Sequence, residues 1–62
     1  MKAVIGETIR PNGVKVTLSS YEENGRITFI VEASNSHDKW FFGNYNSAIA
    51  RFNNVVETEN AK

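Results

Sequence analysis

Val14-Lys15-Val16-Thr17-Leu18-Ser19-Ser20-Tyr21-Glu22-Glu23-Asn24-Gly25-Arg26-Ile27-Thr28-Phe29-Ile30-Val31-Glu32-Ala33 is the stretch on which the fold turns. Two β-prone runs flank Asn24-Gly25. A two-residue type I′ turn needs positive φ at both central positions, and Asn followed by Gly tolerates that best. A hairpin closed there pairs Glu23 with Arg26, Ser20 with Phe29, Leu18 with Val31 and Val16 with Ala33. Side chains alternate across a strand, so this register gathers Val14, Val16, Leu18, Ile27, Phe29, Val31 and Ala33 on one face. The other face receives Lys15, Thr17, Ser19, Tyr21, Arg26, Thr28, Ile30 and Glu32.

Upstream, Pro11-Asn12-Gly13 admits two loop registers that put opposite faces of the first strand inward. As a two-residue turn, Asn12-Gly13 would leave Pro11 where a ladder N–H is wanted. As a three-residue loop, Pro11 takes the first central position of a type I turn and Gly13 the left-handed bulge. The second is expected. It turns Val4, Gly6 and Thr8 inward and sets Ala3, Ile5, Glu7 and Ile9 beside Tyr21 and Ile30.

Downstream, Ser34-Asn35-Ser36-His37-Asp38 reads as a polar loop, and Lys39-Trp40-Phe41-Phe42 as a short strand ending at Gly43. Tyr45, Ala48, Ile49, Phe52, Val55 and Val56 recur at the spacing of one helical stripe, with Asn44 or Asn46 available as its cap. Fraying is expected over 57–62. The fold class is therefore α+β: a three- to four-stranded antiparallel β-meander packed on one C-terminal α-helix, in a single small domain spanning 1–62.

Sixty-two residues leave room for one thin core and no second domain. At 40% hydrophobic and 11% aromatic, the chain is too apolar to stay disordered. It has no cysteine, so disulfides and thiolate metal sites are excluded. Val4-Ile5 meets Glu7 too early for a signal peptide, and no apolar run would span a bilayer, so a cytoplasmic location is expected. Seven basic and seven acidic residues cancel, which removes the long-range field that draws proteins to nucleic acid or anionic lipid.

Reaction chemistry is hard to assemble from this inventory. His37 adjoins Asp38, yet neighbours in a polar loop are not a dyad held in geometry, and no nucleophile accompanies them. Glu22 and Glu23 at a hairpin tip supply too few oxygen ligands for a divalent ion. No Gly-rich loop opens a helix, so a phosphate cradle is missing. No enzyme activity, metal or cofactor is expected.

Trp40, Phe41 and Phe42 form the heaviest apolar cluster, and alternation forbids all three from entering one core. With Trp40 and Phe42 beneath the helix against Phe29 and Phe52, Phe41 joins Tyr21 and Ile30 on the far side, with Ile5 and Ile9 along the same face. Such a patch exceeds scattered apolar exposure, and aromatic anchors carry much of interface energy. The leading expectation is a non-enzymatic binding or regulatory module that uses Tyr21, Ile30, Phe41, Ile5 and Ile9 to hold a protein partner or a second copy as a homodimer. Small stand-alone regulators and inhibitors, including accessory proteins of phage and mobile elements, are of this kind.

Phe41-Phe42-Gly43-Asn44-Tyr45-Asn46-Ser47-Ala48, running from a sheet into a helix, resembles the strand-to-helix junction of the ethylene-response-factor type of DNA-binding domain. The sheets of the arm-binding domains of some phage-type integrases are similar. The resemblance covers eight residues and implies a sheet laid in the major groove, with arginines and tryptophan on its open face. On that alternative, Lys15, Arg26 and Lys39 contact nucleic acid. The chain departs from the pattern in setting Glu32 and Asp38 among those cations and in having no net positive charge.

Overall fold

Asn24 and Gly25 both take positive φ, 54° and 77°, as a type I′ turn requires. In the computed structural model, which describes residues 2–35 and 39–60, this turn joins β2 (Lys15–Glu23) to β3 (Arg26–Ala33). All four expected hairpin pairs are present. The preceding turn is the three-residue loop: the Gly13 amide donates to the Arg10 carbonyl at 2.8 Å, the Arg10 amide to the Val14 carbonyl at 2.8 Å, and Gly13 has φ of 86°. It connects β1 (Lys2–Ile9) to β2, while β4 (Lys39–Phe42) pairs with β3 and leads into α1 (Tyr45–Asn60). The result is an open antiparallel sheet in the order β1-β2-β3-β4 with one C-terminal helix, an α+β fold.

The helix starts at Asn44, whose Oδ1 accepts from the Ser47 amide at 2.8 Å and satisfies a donor that the first turn leaves orphaned. Its apolar stripe covers the inner face of the sheet. Val14, Val16, Leu18, Val31, Ala33, Ala48 and Val55 are buried, and Phe29, Trp40, Phe42, Ile49, Phe52 and Val56 pack around them. Each fully buried Val or Leu contributes about 1.5–3 kcal/mol. The helix lies over β2, β3 and β4 and does not reach β1. Ile27, although on the inner face, is half-exposed near the hairpin tip. Tyr45 is likewise half-exposed and stands edge-on to Phe29 with ring centroids 5.7 Å apart.

Two expectations are corrected. In β1 the register shifts between Val4 and Gly6, so an extra residue enters the strand and the alternation changes parity there. Gly6 and Thr8 oppose Leu18 and Val16 on the inner face as expected, but Val4 opposes Ser19 on the outer face and Ala3 opposes Ser20 on the inner one. At the other end, fraying over 57–62 does not hold as far as Asn60. The helix continues to that residue, because Glu59 is buried and its carboxylate is held by side chains from two loops.

Candidate functional site

Strand register lines the outer side chains up in rows across the sheet. The middle row runs Val4, Ser19, Ile30, Phe41, each opposite the next on the neighbouring strand. Val4 is 60% exposed and Phe41 63%, large values for apolar side chains, while Ile30 is half-buried between them. Ser19 is fully buried, and its hydroxyl has no hydrogen-bond partner. Its short side chain makes it the low point of an otherwise raised apolar ridge.

Polar rows flank this ridge. On one side lie Glu7, Thr17, Glu32 and Lys39, again in direct cross-strand register, with Ile9 opposite Lys15 beyond them. On the other side lie Lys2, Tyr21 and Thr28, followed by the Glu23–Arg26 pair at the hairpin tip. The charges interlock: Lys2 and Lys39 reach the two oxygens of Glu32 at 3.4 and 3.6 Å, and Lys15 reaches Glu7 at 3.5 Å. Pairs this exposed contribute at most about 1 kcal/mol each to stability. Their effect is to intersperse both signs around the apolar row.

Of the residues expected to form a contact surface, Tyr21, Ile30 and Phe41 share the outer face, with Trp40 opposite Val31 on the inner one. Ile9 is 67% exposed but is separated from the ridge by the Glu7–Thr17 row. Ile5 is 45% exposed and sits at the register shift, without a cross-strand partner of its own. Val4 and Ser19 complete the row instead. The sequence already sets Ser19 on this face, whereas strict alternation carried through the bulge turns Val4 inward. The signal was Gly6, since a glycine inside a strand often marks one. Lys15 and Lys39, offered as nucleic-acid contacts, each face a carboxylate, and Arg26 stands opposite Glu23.

A second polar cluster lies at the far end of the helix. Glu59, 5% exposed, accepts from Asn12 Nδ2 at 2.9 Å and from Asn35 Nδ2 at 3.3 Å. Asn12 in turn accepts the Val14 amide at 3.0 Å, so its side chain ties the first turn to the helix. Beside it a cleft of about 330 Å³ is lined by Asn35, Trp40, Arg51 and Thr58, with the Arg51 guanidinium 5.5 Å from the centre of the Trp40 ring. These contacts brace two loops against α1. His37 and Asp38 lie outside the described residues. Among the described residues no three His, Cys, Asp or Glu side chains come together as metal ligands would, and no helix is long and apolar enough to cross a membrane.

The class defined is a small α+β protein, an antiparallel sheet with a helix on one face and an apolar ridge on the other. No family model, curated protein or solved structure matches the chain.

Proposed function

We propose that this chain is a non-enzymatic binding module of the cytoplasm, a regulator or inhibitor that holds another protein chain against the outer face of its sheet. The observation that carries the reading is the row Val4, Ser19, Ile30, Phe41, an apolar ridge on the side of the sheet that the helix leaves open. An exposed ridge rimmed by mixed charge is the usual composition of a protein-binding patch, with aromatic and aliphatic anchors at the centre and polar groups around them. The cations give less support to nucleic acid, because Lys2, Lys15 and Lys39 each lie against Glu7 or Glu32 on the same face, which leaves one net positive charge among the five groups.

The test is capture of partners from a lysate of the natural source by the immobilised chain, with sedimentation of the free protein in parallel. Replacing Tyr21 and Phe41 by Ser should abolish capture or association while leaving helical circular dichroism intact, since both side chains stand outside the core. Unchanged capture and unchanged mass would remove the outer face from consideration. Loss of helical signal would show that these side chains support the fold.

A further inference from the structure

We infer that the occupant of the outer face is a second copy of this chain, packed face to face about a two-fold axis parallel to the strands. The inference rests on the reading of that face as the working surface and adds the partner and its register.

Such an axis keeps the rows in place and reverses the order of the strands, laying β1 of one chain over β4 of the other. In the middle row this sets Phe41 above Val4 of the second copy and Ile30 above Ser19 of the second copy. Large side chains then meet small ones, and the low point at Ser19 receives a raised Ile30, the interdigitation that two packed layers need. An in-plane axis perpendicular to the strands would instead stack Phe41 on Phe41 and Ser19 on Ser19, leaving one flank crowded and the other hollow.

Charge agrees with the same axis. In the adjoining row Glu7 comes to face Lys39 of the second copy, and Thr17 faces Glu32 of the second copy. At the hairpin tip Glu23 faces Arg26 of the second copy. No like charges face each other position for position in these rows. Glu32 of the two copies lies one strand spacing apart across the axis, with each carboxylate held by its own Lys2 and Lys39. Each contact occurs twice because the interface is isologous. The chain's zero net charge adds no repulsion between copies.

The area is sufficient. Three strands about 4.8 Å apart over seven residues of about 3.4 Å, with the four residues of β4, give roughly 400 Å² in projection. Side-chain relief raises this to about 550–700 Å² per chain, at the lower end of specific interfaces.

Multi-angle light scattering of the full chain over a concentration series tests the inference. The chain is 7.0 kDa. The expected mass is twice that, falling to the single-chain value for Phe41→Glu with circular dichroism unchanged. Glu23→Arg should raise the dimer Kd about fivefold, since it makes both symmetric tip contacts repulsive, and adding Arg26→Glu should restore it to within about twofold, because the swapped pair is complementary both within a chain and across the interface. A single-chain mass for the wild type at every concentration would overturn the inference. So would a dimer indifferent to Phe41→Glu, or a Glu23→Arg defect that Arg26→Glu leaves uncorrected. If the wild type is monomeric while the Tyr21→Ser, Phe41→Ser variant still loses capture of another protein, the second copy is rejected and the binding face stands. If capture is also unaffected, both fall.

Discussion

Two buried polar side chains have opposite consequences for stability. The Ser19 hydroxyl has been removed from water and given no hydrogen bond in return. Such a group costs about 1–3 kcal/mol, so Ser19→Ala should stabilise the fold by about 1 kcal/mol and raise the urea midpoint. A midpoint that falls would mean that the hydroxyl finds a partner in solution. Glu59 is buried too, but its carboxylate accepts from Asn12 and Asn35. Glu59→Ala would remove both hydrogen bonds to a charged acceptor and should cost about 1–3 kcal/mol in the same titration, with Glu59→Gln costing less because one acceptor oxygen remains. Glu59 continues the stripe of Ala48, Phe52 and Val55 at helical spacing, but the fraying expected over 57–62 left it outside the core. Its partners were not legible, because they come from loops 47 and 24 residues away in sequence, and no local pattern carries that information.

Elements whose shape is set by their own residues were readable, and those shaped by a neighbour were not. Asn24-Gly25 encodes its turn in two residues, and the alternating runs on either side allow only one register, so β2 and β3 followed directly. Pro11-Asn12-Gly13 was resolved by the same logic, because proline cannot donate to a ladder. In β1 the bulge changed the faces of Ala3 and Val4, and with them the composition of the ridge. Nothing in Lys2-Ala3-Val4-Ile5 distinguishes the two parities, because apolar residues occupy positions on both. At the start of α1 the first turn holds no acidic residue to complement the helix dipole, which leaves the cap to the Asn44 side chain. Asn44→Ala should therefore destabilise the chain by about 1 kcal/mol. Asn44→Asp should match or exceed the wild type, because a carboxylate also suits the positive end of the helix. Thermal or urea unfolding decides the point, and an Ala variant as stable as the wild type would assign the helix start to packing alone.

Across the whole molecule, support is uneven. The inner sides of β2, β3 and β4 are covered by α1, whereas β1 packs against β2 alone. What ties its end to the helix is side-chain bonding from the turn region: Arg10 donates to Asn60 Oδ1 at 3.0 Å and also bonds Thr8, and Asn12 donates to Glu59. Gly6 contributes no side chain, and an added Cβ there would meet nothing within 4 Å, so the inner side of the strand is open at this position. Local opening free energy follows the apolar contacts that must be broken, and β1 has few. Native-state hydrogen exchange should therefore find the β1 amides that bond to β2 opening sub-globally, at lower free energy than those of Leu18 and Val31, whose side chains are fully buried. The measurement belongs on the Phe41→Glu chain, so that no face-to-face contact protects the strand. Equal protection in β1 and in the β2–β3 hairpin would show that the sheet opens as one cooperative unit, and that the helix stabilises strands it does not touch.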